Sequence, residues 1–93
     1  MGKREKINSV PIEDILTALG IKYDRLYSDS DYLNLYEGDR KTRGWKAFIS
    51  SNRIEDFSSK NRACGKPLYV VGMYLGISEN KSYSWFEEKF NIY

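Results

Sequence analysis

Apolar residues at positions 12, 15, 16 and 19 follow the 3, 1, 3 spacing of one helical stripe and predict an amphipathic helix over 9–20. Pro11 suits the first turn, where no N–H is needed. Glu13 and Asp14 lie near the positive end of the helix dipole. Gly20 is a natural left-handed stop. The period then shortens to two. In 32–37, Leu33 and Leu35 alternate with Tyr32 and Tyr36, which predicts a strand. Residues 45–50 and 53–58 read as two further strands, joined by a tight turn at Ser51-Asn52. The polar stretches 24–31 and 38–44 read as loops. A helical period returns at Pro67. It puts Leu68, Val71 and Leu75 on a buried stripe, leaves Tyr69 and Tyr74 off it, and stops at Gly76. A last helix starts at Ser78 or Asn80 and gathers Trp85, Phe86, Phe90 and Tyr93 on one broad face. Glu87, Glu88 and Lys89 then turn mostly to water. The expected fold class is α+β: an N-terminal helix, a three-stranded antiparallel sheet and two C-terminal helices. Residues 1–8 read as a flexible basic arm ahead of a single domain over 9–93.

Charge changes this picture in one place. Residues 40–66 hold eight basic side chains against two acids, a local +6, while the other seven basic and eleven acidic residues carry −4. The net +2 thus covers a basic middle between acidic flanks. Trp45, Phe48 and Phe57 are interleaved with the basic residues. Cations neutralise phosphates, and flat rings stack on unpaired bases. Arg40, Lys41, Arg43, Lys46, Lys60, Arg62 and Lys66 are therefore candidate phosphate contacts, and Trp45 is a candidate stacking platform. Each has a plainer reading: the basic residues as a solvated hairpin, Trp45 as core.

Several chemistries fall away. The chain has no histidine and a single cysteine, Cys64. It cannot supply the four Cys or His ligands of a structural zinc site, and a Ser–His or Cys–His pair is excluded. Gly65-Lys66-Pro67 lacks the rest of a phosphate-binding loop. The acid pairs Glu55-Asp56 and Glu87-Glu88 are adjacent in sequence, so their side chains diverge on a strand or a helix and read as solvated charges. No catalytic residue, metal or cofactor is expected. The charged N-terminus is followed by no apolar core, and no apolar run approaches a membrane span, so no secretory signal and no membrane partner are expected. A lone cysteine agrees with a reducing cytoplasm.

Three segments carry a resemblance: Ile12-Glu13-Asp14-Ile15-Leu16-Thr17-Ala18-Leu19-Gly20; Gly65-Lys66-Pro67-Leu68-Tyr69-Val70-Val71 with Gly76-Ile77-Ser78; and Trp85-Phe86-Glu87-Glu88-Lys89-Phe90. With the order of elements, they resemble the N-terminal zinc-ribbon domain of bacterial primases, whose relatives occur in small replication proteins of mobile elements. The family's Cys-Pro-x-His and Cys-x-x-Cys ligands would lie at 33–42 and 57–64, where only Cys64 stands, so no metal residue carries over. The resemblance implies a zinc-ribbon-like scaffold without metal and contact with template DNA beside a replication enzyme.

The expected function is a non-catalytic accessory of DNA replication or priming. It binds single-stranded or template DNA, docks on a DNA polymerase, primase or helicase, or does both. The alternative is a protein-interaction adaptor with an aromatic surface, Tyr69 and Tyr74 foremost, and no nucleic-acid contact.

Overall fold

The α2 helix, Ile12–Leu19, forms where its apolar stripe predicts it, with Ile12, Ile15 and Leu16 buried. Pro11 stands one place earlier than expected, at the N-cap, and Gly20 closes the helix in the left-handed conformation. A Pro N-cap has no side-chain acceptor for the free N–H groups of the first turn. Asn52 supplies one from across the molecule: its Oδ1 accepts from the Ile12 N–H at 2.8 Å. Its Nδ2 donates to the carbonyls of Asn8 and Val10 at 3.0 and 2.8 Å. One side chain thereby ties the start of α2 to the sheet.

The computed structural model describes residues 2–25, 31–58 and 60–93. The other elements are α1 (Lys3–Asn8), β1 (Tyr23–Asp24), β2 (Tyr32–Glu37), β3 (Arg40–Phe48), β4 (Arg53–Asp56), α3 (Pro67–Leu75) and α4 (Glu79–Phe90). The fold class is α+β. The strands form one antiparallel sheet in the order β1-β2-β3-β4. The expected three-stranded meander is present and gains a two-residue fourth strand at the β2 edge. Most of the polar loop expected at 24–31 lies outside the described residues.

Several expectations need correction. The loose arm at 1–8 is replaced by helix α1, whose Ile7 is fully buried in the core. Lys3 and Arg4 pair with Glu87 and Glu79 of α4 and hold the helix down. Glu87 is accordingly half-buried rather than turned to water. The loop expected at 38–44 is only the two-residue turn Gly38-Asp39, since Glu37 already pairs with Arg40. The turn at Ser51-Asn52 is longer, spanning 49–52 between the paired residues Phe48 and Arg53.

The four helices among the described residues cover one face of the sheet. Leu33, Leu35, Trp45, Ala47 and Ile54 point inward to a core shared with Ile7, Ile12, Ile15, Leu16, Val70, Val71 and Phe86. The α3 helix is anchored by its first half, where Pro67, Leu68, Val70 and Val71 are buried. Leu75, expected on the buried stripe, is 42% exposed with the rest of the last turn. Gly76 stops α3, and Ser78 caps α4 by accepting from the Lys81 N–H. On α4, Ser82 and Phe86 are buried. Trp85 and Phe90 pack against the Phe86 ring from partly exposed positions, and Tyr93 is exposed. Among the described residues, no helix is long and apolar enough to cross a membrane.

Candidate nucleic-acid interface

The uncovered face of the sheet is built by strict alternation, except at one bulge. Asn34 pairs with Lys46, and the next pair on β2 is Tyr36 with Lys41. One residue of β2, Leu35, therefore lies opposite four residues of β3, 42–45. Thr42 repairs the ladder there, donating its hydroxyl to the Leu35 carbonyl at 2.7 Å. Gly44 makes the bulge fit. Its φ is +146°, and an added Cβ would lie 3.2 Å from the Ser58 backbone nitrogen. The Gly44 carbonyl accepts from the Phe57 N–H at 2.8 Å, so the bulge is fastened to the end of β4.

This arrangement opens a shallow groove of about 720 Å³ lined by Asn34, Lys41, Arg43, Lys46 and Phe57, together with the bulge backbone. Phe57 is 69% exposed. It meets Phe48 edge-on at 6.1 Å, and Phe48 in turn lies 6.2 Å from Tyr32. The Lys46 ammonium sits 4.5 Å from the centre of the Tyr32 ring. Lys41 faces Asp24 at 3.4 Å, whereas Arg43 is exposed at the crest of the bulge. A row of rings beside two or three cations thus runs along the open face.

The basic residues singled out from sequence do not form one patch. Lys41, Arg43 and Lys46 meet in the groove. Arg40 is exposed beside the β2–β3 turn. Lys60 lies in a separate cleft with Tyr74 and Met73, and Lys66 borders a groove between α1, α3 and α4. Arg62 is no phosphate contact. Its side chain is 13% exposed and already neutralised by Glu37 at 3.0 Å and Asp56 at 3.8 Å. Trp45 is no stacking platform. It is 2% exposed, donates its Nε1–H to the Ala63 carbonyl at 2.6 Å, and stacks under Tyr74. The plainer reading of Trp45 as core holds. Tyr69 is 67% exposed and Tyr74 44%, as their place off the buried stripe predicts. Phe57 and Asn34 were missed as site residues. The available signal for Phe57 was its alternation with Arg53 and Glu55, which share an ion pair.

The loop after β4 owes its shape to Asp56, which lies on the inner side while Glu55 lies on the outer one. The Asp56 carboxylate accepts from the N–H groups of Ser58 and Arg62, both at 2.9 Å, and from the Ser58 hydroxyl. Burial favours the neutral acid, but the hydrogen bonds from Ser58 and Arg62 and the Arg62 charge together outweigh it. The Asp56 carboxyl is held below its usual range. A depressed folded pKa stabilises the fold above the unfolded value of about 3.9, and that contribution is lost as pH falls through the folded value. Asp56→Asn is therefore expected to melt below the parent at neutral pH. The gap should narrow only below about pH 4. A gap that stays constant down to pH 2 in parallel thermal melts would remove Asp56 from this role.

The geometry defines a small α+β module with one sheet face covered by helices and the other open, aromatic and basic. The chain matches no family model, no curated protein and no solved structure. Among the described residues, no group of three or more His, Cys, Asp and Glu side chains is placed to hold a metal ion.

Proposed function

We propose that this chain is a non-catalytic accessory module of DNA replication or priming that holds single-stranded or template DNA on the open face of its sheet. The groove at the β3 bulge carries this reading, because Arg43, Lys46 and Lys41 stand within one groove of an exposed ring, Phe57. Cations follow a phosphate backbone, and a ring on a sheet surface stacks with any unpaired base. Duplex DNA keeps its base faces stacked inside the helix, so exposed rings favour a single strand.

The resemblance to the primase zinc-ribbon domain supplies the replication setting. In that family metal ligands would fall at 33–42 and 57–64. Here the second stretch is held by protein groups instead, through Asp56 with Ser58 and Arg62, and through Trp45 with the Ala63 carbonyl. A second surface supports docking on a polymerase, primase or helicase. Tyr69, Met73, Tyr74 and Leu75 are exposed apolar or aromatic side chains of α3, an element that also covers the core. The adaptor reading rests on these side chains alone.

Fluorescence anisotropy with labelled oligonucleotides tests the proposal. Binding of a single strand is expected to exceed binding of the matching duplex, and to weaken with salt by about 0.7 in log affinity per phosphate contact for each tenfold rise. No binding at low salt would leave the adaptor reading, whose aromatic contacts respond little to salt.

A further inference from the structure

Away from the open face of the sheet, α1, α3 and α4 border a groove of about 690 Å³, and one buried hydroxyl in its lining has no partner. Ser82 is 1% exposed, and among the described residues its Oγ makes no hydrogen bond. A serine inside a helix can turn its hydroxyl to the carbonyl four residues back. Ser84, on the same helix, does this to Asn80. Ser82 holds its Oγ against α3, 3.0 Å from where a Cβ on Gly72 would stand. Gly72 keeps that space open inside α3, where alanine would favour the helix more. Packing alone would be served by alanine at 82, which buries no polar group. A buried hydroxyl without a partner costs free energy, so its presence here points to a group that the groove receives.

The rest of the lining defines what carries that group. Leu68, Tyr69, Met73 and Ile77 form apolar walls, with Tyr69 and Met73 exposed. A groove of this size, mostly apolar with a few polar groups, suits a small molecule. Arg4 and Glu79 neutralise each other at one side. Lys66, at the start of α3, is exposed and has no carboxylate partner among the described residues. The uncompensated charge of the groove is therefore a single cation. Lys66 and Gly72 lie roughly 9 Å apart along the helix axis, at the usual rise per residue. We propose that this groove binds a small, flat, apolar carboxylate that carries a hydroxyl roughly 9 Å from its acid group. The carboxylate pairs with Lys66, the body lies between Leu68, Met73 and Ile77, and the hydroxyl meets Ser82 Oγ beside Gly72. None of these residues lines the groove at the β3 bulge, so the site stands apart from the single-strand reading.

The probe is 6-hydroxy-2-naphthoate, titrated into the isotope-labelled full chain and followed by amide NMR. Its counterpart without the hydroxyl is 2-naphthoate. Saturable shifts are expected at Lys66, Tyr69, Gly72 and Ser82, with a Kd below about 1 mM, ordinary for a ligand of this size. The counterpart is expected to bind about fivefold more weakly, the worth of one hydrogen bond. Ser82→Ala is expected to weaken the hydroxylated probe about fivefold, to leave the counterpart within about twofold, and to melt at or above the parent, because it removes a buried unpaired hydroxyl. Lys66→Gln, at an exposed position, is expected to weaken both probes by about threefold. Absence of saturable shifts around the groove overturns the site. Equal weakening of both probes by Ser82→Ala, or a melting temperature below the parent's, overturns the role of the hydroxyl and the proposal with it. Unchanged affinities in Lys66→Gln overturn the assignment of a carboxylate ligand.

Discussion

The triple variant Lys41→Glu, Arg43→Glu, Lys46→Glu is expected to lose single-stranded DNA binding by at least about a hundredfold at moderate salt while keeping its fold. Three phosphate contacts account for a slope of about two in log affinity against log salt, and charge reversal adds repulsion to their loss. The fold is expected to survive because none of the three side chains enters the core. Lys41 and Arg43 are exposed, and Lys46 is half-buried over the Tyr32 ring. Lys41 leaves behind an exposed pairing with Asp24, an arrangement that contributes little to stability. Far-ultraviolet circular dichroism and the melting temperature check the fold, and a salt titration by anisotropy checks the slope. Unchanged affinity with an unchanged slope would move the interface off this face of the sheet. A parallel reversal at Lys60 and Lys66 is expected to matter far less, since both stand away from the groove.

Trp45→Ala is expected to destabilise the chain by about 3–5 kcal/mol, the usual loss for a large buried aromatic. For 93 residues, ordinary stability amounts to about 5–14 kcal/mol, so a loss of this size takes a substantial share of it and lowers the urea midpoint clearly below the parent's. Two losses combine. The ring vacates the space between the sheet and Tyr74, and the Ala63 carbonyl loses its donor. The second loss loosens the stretch before α3, because Ala63 is itself buried two residues from the Ile54–Gly65 bridge. Trp85→Ala is expected to cost less, since Trp85 is only partly buried beside Phe86. Urea denaturation of the two variants gives the comparison. A Trp45→Ala chain as stable as the parent would free Trp45 from the core and reopen its part in binding.

Long elements were legible because each repeats its signal. The α2 helix has four apolar residues on one stripe, bounded by Pro11 and Gly20, and it forms inside the expected 9–20, from Ile12 to Leu19. The α3 helix runs from Pro67 to Leu75 as read. The α1 helix was not legible. Six residues with one apolar position give no period, and so short a helix does not persist alone. It exists because Ile7 enters the core and α4 supplies Glu79 and Glu87 to its cations. The first half of β3 was read as a loop for a related reason. The bulge at 42–45 breaks the alternation, and a strand without period two resembles a polar linker.

The sequence by itself determined the class of the fold, the shared face of Leu33 and Leu35, the α2 stripe, and the cluster of positive charge in the middle of the chain. Those follow from local periods and from counts, which depend on no distant residue. Only the tertiary structure decided which charges are available. Arg62 is engaged by Glu37, a carboxylate 25 residues away, and by the buried carboxylate of Asp56, whereas Arg43 stands clear on a bulge that a glycine at 44 permits. It also exchanged the ring that faces solvent. Trp45 and Phe57 both alternate with basic residues. Trp45 points to the helix-covered side, where a carbonyl waits for its N–H, and Phe57 to the side that no helix covers. Pairing partners and layer order are properties of contacts between distant segments, and no local pattern encodes them.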